Sequence, residues 1–203
     1  HLREHATMWR ICDDLWDSWE DVEANLARFA RWAPHAGPDG WPDGDMLPLG
    51  RIGIRAERGE PRDDLLTPEE RRTLMTLWVI ARSPLMVGGD LPTSDPATIA
   101  LLSTAEVLAV QAEATASREV FREDPLVLWT ADAADGRTWI AAFNVGEEEL
   151  EVAIDSQDVG LPGRGLGEVT ELWSGEPAPL REVSVQSDDA RGVAPGSTAI
   201  DVR

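Results

Sequence analysis

Apolar residues recur at two different spacings along the chain, and the spacing changes near its middle. Trp19, Val22, Leu26 and Phe29 fall three and four apart, which predicts a helix with one buried face. Asp17 or Ser18 occupies the N-cap position, Glu20 and Asp21 lie in the first turn where negative charge is favoured, and Pro34 ends the helix near Trp32 and Ala33. Thr67-Pro68-Glu69-Glu70 starts a second helix: the threonine caps, the proline suits the first helical position, and Glu70 can complete a capping box. From Leu74 to Ala81 that helix is apolar nearly all round, which predicts heavy burial, and Pro84 stops it. Asp95-Pro96 repeats the cap-plus-proline logic, and Glu106 to Gln111 continues in helical register after a short break. Between these helices Met8 to Ile11, Asp45 to Gly50 and Leu85 to Val87 read as short strands. Gly37-Pro38-Asp39-Gly40 reads as a turn, and residues 51–66 as a polar loop.

Alternating helix and strand is the pattern of a parallel α/β layer. Two or three strands cannot complete a sheet buried on both faces, so this half reads as the last part of a barrel. After Ala116 the pattern becomes short strands with frequent turns: residues 126–130, 138–144, 149–154 and 168–173, with Asp135-Gly136, Pro162-Gly163 and Ser174-Gly175 as punctuation. That pattern points to an antiparallel β-sandwich. The expected division is α/β for residues 1–114 and all-β for residues 115–203, with the boundary near 112–118.

Composition narrows the function. A net charge of −20 over 203 residues argues against binding a polyanionic nucleic-acid backbone and suits a neutral ligand. No apolar run reaches the roughly 18 residues of a membrane span, so no membrane partner is expected. A single cysteine, Cys12, excludes an internal disulfide and a multi-cysteine metal site, and three scattered histidines argue against zinc. The first ten residues carry no signal-peptide pattern and the chain begins without methionine, so an internal start is expected. Localisation and oligomeric state are not legible. Nine tryptophans without any tyrosine offer flat surfaces for sugar rings, although large aromatics more often serve the core.

The candidate chemistry lies in two acidic segments beside tryptophans, Trp9-Arg10-Ile11-Cys12-Asp13-Asp14 and Gly40-Trp41-Pro42-Asp43-Gly44-Asp45-Met46. The helix between them has the length needed to leave one strand end and return to the next. Taken alone, Asp13-Asp14 also fits a solvated loop or a helix-start charge.

Four blocks in order carry a resemblance. Residues 8–19, residues 40–50, the run Leu77 to Leu91 and the run Glu106 to Val110 resemble glycoside hydrolase family 27, the α-galactosidases or melibiases. The resemblance implies the C-terminal part of a (β/α)₈ barrel followed by an antiparallel β-sandwich. It implies a retaining glycosidase acting on terminal α-galactosides, with no metal or organic cofactor. Matched by position, Asp14 falls on the general acid/base, Arg10 on an arginine that bonds sugar hydroxyls, and Asp45 and Met46 on substrate-lining positions. Asp13 is a neighbour, and Trp41 and Asp43 are supporting candidates. The family's nucleophile belongs to an earlier strand with no counterpart here, so the 203-residue chain by itself is expected to be inactive. A related family activity (β-L-arabinopyranosidase or α-N-acetylgalactosaminidase) and a non-catalytic carbohydrate-binding module are the alternatives.

Overall fold

The computed structural model of the chain describes residues 1–56, 59–152, 154, 156–160, 169–177, 183–185 and 196–202. A one-turn helix, α1 (Leu2–His5), precedes strand β1 (Met8–Arg10), in which Trp9 alone is buried. Helix α2 (Trp19–Trp32) follows. Ser18 is its cap and accepts from the Asp21 N–H, while Asp17 turns its buried carboxylate elsewhere. Val22, Leu26 and Phe29 are the buried stripe that the spacing predicts. Each such side chain contributes about 1.5–3 kcal/mol by leaving water.

Strand β2 (Trp41–Asp43) returns parallel to β1, with Met8 opposite Trp41 and Arg10 opposite Asp43. β2 thus ends at Asp43, and the strand expected over Asp45 to Gly50 is not formed. Asp45 has a φ of +84°, in the left-handed region, and turns the chain out of extended geometry. Beyond it the backbone resumes pairing only at Leu47, whose N–H donates to the Met86 carbonyl at 2.7 Å and whose carbonyl accepts from Gly88 at 2.8 Å. Leu85 to Val87 thus contributes one parallel bridge, Leu47 to Val87, in place of a strand. The polar segment after Gly50 is not irregular throughout: β3 (Arg51–Ile52) and β4 (Arg62–Asp63) pair antiparallel across it.

Helix α3 (Pro68–Ile80) starts with the capping box read from sequence. The Thr67 N–H donates to Glu70 Oε2 at 2.7 Å and the Glu70 N–H to Thr67 Oγ1 at 3.2 Å. Leu74 through Ile80 are all buried because α3 lies between the barrel segment and the second sheet. It packs against α2 and α5 (Ala105–Glu113), against α4 (Pro96–Leu102), and against the strands that follow.

The second half opens with β5 (Thr115–Glu123), one residue after α5 is capped at Ala114. This strand escaped the sequence reading because it is polar, half-exposed and irregular in register against its neighbour. β6 (Leu126–Asp132) and β7 (Thr138–Asn144) are the strands read from sequence, joined by the Asp135-Gly136 turn with Gly136 at φ +89°. β8 (Leu150–Val152) and β9 (Val169–Glu171) are shorter than expected; Ala153, Glu168 and Pro162-Gly163 lie outside the described residues. β10 (Val183–Val185) pairs with β8, and β11 (Gly196–Val202) enters between β7 and β9. Among the described residues the larger antiparallel sheet runs β5-β6-β7-β11-β9.

Side chains of β6 and β7 alternate between two cores. Val127, Trp129, Ala131, Trp139, Ala141 and Phe143 join the cluster built around Trp78 and Phe29, while Leu128, Ile140 and Ala142 face a second cluster with Ile154, Val159 and Val169. That is the two-residue period of a sheet covered on both faces. The α/β part and the sandwich consequently share one continuous core across α3, and Trp173 adds an indole N–H to Thr76 Oγ1 at 3.1 Å.

Candidate active site

β1 and β2 run parallel, so their C-terminal ends, Arg10 and Asp43, emerge side by side. The loops that leave them carry Asp14 and Asp45. The Ile11 N–H donates to the Asp43 carbonyl at 3.0 Å, one last rung before the loops separate. Arg10 Nη2 then lies 2.7 Å from Asp45 Oδ2, 3.3 Å from Asp14 Oδ1 and 2.9 Å from the Asp13 carbonyl. Three of the four residues singled out from sequence are therefore in direct contact. The Arg10 guanidinium is held by carboxylates, so a sugar hydroxyl would have to share it.

The two acids differ in environment. The Asp14 side chain is 63% exposed, whereas that of Asp45 is 13% exposed and heavily bonded. Asp45 Oδ2 also accepts from the Leu15 N–H at 2.8 Å, its own N–H donates to Asp43 Oδ1 at 2.9 Å, and its carbonyl accepts the Trp78 indole N–H at 3.0 Å. Asp43 thus supports Asp45. A carboxylate so placed fixes the loop carrying Asp14, through Leu15, to the loop carrying Met46. Burial works to lower the Arg10 pKa, but the Cys12 side chain and the charges of Asp45 and Asp43 outweigh it and hold the guanidinium above its ordinary value. Burial pushes the half-buried Cys12 thiol up, against the opposing pull of Arg10.

Close packing sets the backbone between Asp43 and Asp45. Gly44 donates to Ser83 Oγ at 3.0 Å, and a Cβ at Gly44 would meet the Phe29 ring and stand 2.7 Å from Trp78 Cζ2. Met46 stands at the edge of the cluster, half-exposed, with its sulfur over Gly88. Trp41 does not reach the site. It opens β2 at the opposite strand end, under the Arg82 guanidinium at 5.7 Å.

A second buried network braces the loop from the other side. Arg62 Nη2 donates to Asp17 Oδ1 at 2.9 Å, Arg62 Nη1 bonds Oδ2, and the Leu65 N–H donates to Oδ2 at 2.8 Å. Burial works to raise the Asp17 pKa, but these bonds prevail and hold the carboxyl below its ordinary range. Asp64 accepts from Gly50 N–H, Leu66 N–H and Arg71 Nε, yet burial dominates and its pKa is raised.

Sequence reading missed Trp78, Ser83 and Arg62 because they reach the site across long stretches of chain with no local signature. Two of the three histidines are less scattered than they look: the rings of His1, just ahead of α1, and His5, at its end, lie 4.7 Å apart beside Glu4, all three exposed. No helix among the described residues is long and apolar enough to cross a membrane.

Comparison with known proteins places these features in a wider set. Residues 1–113 match the family model described as alpha galactosidase A, and residues 123–200 match the alpha galactosidase C-terminal beta sandwich domain. Alpha-galactosidase 2 of Arabidopsis thaliana is 28% identical over 81% of this chain and 39% of its own length. The alpha-galactosidase of Coffea arabica is 31% identical over 85% of this chain and 43% of its own. A solved family 27 β-L-arabinopyranosidase from Geobacillus stearothermophilus is 36% identical and superposes with a TM-score of 0.86, covering 99% of this chain and 46% of that one. The chain thus spans less than half the length of each of these relatives.

Proposed function

The chain belongs to glycoside hydrolase family 27, and from that membership we propose that Arg10, Asp14 and Asp45 form the acid/base half of a retaining glycosidase site that removes terminal α-linked galactose from oligosaccharides or glycoconjugates. The observation that carries this reading is the exposed Asp14 carboxyl beside Arg10, at the C-terminal ends of parallel strands where barrel enzymes hold their chemistry. The α/β part, residues 1–114, supplies this half-site, and the sandwich, residues 115–203, supports it through the shared core on α3.

Retaining hydrolysis needs two carboxyl groups about 5–5.5 Å apart. In the first step a nucleophilic carboxylate bonds the anomeric carbon, the glycosidic C–O bond breaks, and Asp14 gives its proton to the leaving oxygen. In the second step Asp14 takes a proton from water, the water oxygen bonds the anomeric carbon, and the nucleophile is released. Solvent access suits Asp14 to both proton transfers. Asp45, bonded on every side, serves to position. The attacking carboxylate lies outside residues 1–203 in this reading, on the barrel strands that the longer relatives possess.

One observation favours a second reading. A β-L-arabinopyranosidase matches this chain at 36% identity, and arabinopyranose is galactose without its hydroxymethyl group. The test is a polypeptide carrying this chain together with the residues encoded ahead of His1, assayed on nitrophenyl α-galactoside, β-L-arabinopyranoside and α-N-acetylgalactosaminide. Preference for the first confirms the proposal. Preference for either of the others moves the assignment within the family, and turnover of none overturns it.

A further inference from the structure

Beside the three-residue cluster lies a groove of about 460 Å³, within the range of ligand sites. Two of its walls come directly from the site: Trp16 follows Asp14 by two residues, and Met46 follows Asp45 by one. The floor and far wall come from the β2–α3 loop, with Ile52 and Ile54, and from Gly88 to Asp90. We propose that this groove is the leaving-group subsite and that it accepts a second sugar ring stacked on Trp16. The inference rests on the glycosidase reading above and adds the residues, Trp16 and Ile54, that select the group that departs.

Three features support a sugar. Position comes first: the proton donor must face the glycosidic oxygen, so the departing ring lies next to Asp14, and the groove starts two residues beyond it. The second is surface chemistry. A sugar ring presents an apolar C–H face bounded by hydroxyls. Trp16, 37% exposed, offers a flat apolar face, Ile54 adds a second apolar contact, and the polar groups of Arg51, Glu60 and Asp90 stand around them. The third is charge. Three arginines line the groove: Arg51 is matched by Asp63 at 3.4 Å and Arg62 by the buried Asp17, while Arg55 shares the lining with the carboxylates of Glu60 and Asp90. The groove is therefore polar without being a strong anion trap, as a neutral ring requires.

The loop is also held in shape. Asp17 ties Arg62 and the Leu65 N–H to the segment that carries Trp16, and Asp64 ties Gly50 and Leu66 to α3 through Arg71. Trp16 and Ile54 therefore line one groove within a braced frame, the preorganisation that lets a modest contact area discriminate between ligands.

The experiment compares raffinose, whose leaving group is a disaccharide, with α-galactosyl fluoride, whose leaving group has no ring. It uses the polypeptide that includes the residues encoded ahead of His1, as the parent and as Trp16→Ala and Ile54→Glu; Ile54 is 53% exposed, so its substitution leaves the core intact. The ratio of kcat/KM on raffinose to kcat/KM on the fluoride is expected to fall at least tenfold in both variants. Taking the ratio removes any disturbance of Asp14 that both substrates feel. A ratio within twofold of the parent, with fluoride hydrolysis intact, overturns the subsite and leaves the glycosidase reading standing. A variant ratio that collapses for octyl α-galactoside and not for raffinose assigns the groove to a lipid chain and overturns the sugar. A parent that does not cleave the fluoride removes the glycosidase reading and this subsite with it.

Discussion

Asp45 Oδ2 receives both the Leu15 backbone N–H, at 2.8 Å, and Arg10 Nη2, at 2.7 Å. One carboxylate oxygen thereby joins two loops that leave adjacent strands and fixes the residue next to Asp14. The backbone at Asp45 is left-handed, a region that asparagine and aspartate tolerate better than alanine does. Asp45→Asn retains an acceptor for Leu15 and the backbone tolerance, and loses only the charge opposite Arg10. It is expected to cost about 1 kcal/mol of folding stability. Asp45→Ala also strands the Leu15 N–H and strains the backbone, and is expected to cost about 2–4 kcal/mol. Urea unfolding of the two variants checks the order; equal losses would show that the bond to Leu15 contributes nothing.

Gly44 is held by contact instead of conformation. A Cβ there would press on the Phe29 ring and on Trp78, both nearly inaccessible to solvent. Gly44→Ala is expected to destabilise by roughly 1–3 kcal/mol through overpacking, visible as a lower thermal midpoint. An unchanged midpoint would show that the two rings can part without cost.

Asp17 gives a pH dependence with a definite sign. Its folded-state pKa lies below the ordinary carboxyl value, burial being outweighed by Arg62 and the Leu65 N–H. Below that ordinary value the unfolded chain binds the proton more readily, so stability falls as pH drops through the folded pKa and is fully present above the ordinary range. Asp17→Asn is therefore expected to be less stable than the parent at neutral pH, and the two are expected to converge on acidification below the ordinary aspartate range. Unfolding free energy measured against pH for both proteins tests this; a constant gap across the acid range would refute it.

Legibility from sequence followed the reach of each interaction. The Arg10–Asp14 contact spans four residues and the Thr67–Glu70 box three, and both could be read from local spacing. The α2 stripe was equally plain, since helical period alone identifies Val22, Leu26 and Phe29. Joining Asp45 to Arg10 requires knowing that β1 and β2 are parallel neighbours, which the intervening helix implies but only by way of the fold. Trp78 on the Asp45 carbonyl and Ser83 on the Gly44 N–H act over more than thirty residues and leave no pattern. The strand expected at Asp45 to Gly50 failed for a backbone reason, because alternation of side chains does not reveal a residue at positive φ. Polar β5 failed for the opposite reason: an edge strand has little hydrophobic alternation to read.

The account turns on Asp14 as proton donor, and leaving-group dependence measures that role most directly. In the polypeptide that includes the residues encoded ahead of His1, Asp14→Ala is expected to lower kcat/KM on raffinose by about 10²–10⁴-fold, the usual worth of a positioned general acid. The loss in the glycosylation step on α-galactosyl fluoride, whose departing ion needs no proton, is expected to be at least tenfold smaller. Equal losses on the two substrates, or a variant that retains the parent's activity on raffinose, would contradict the assignment.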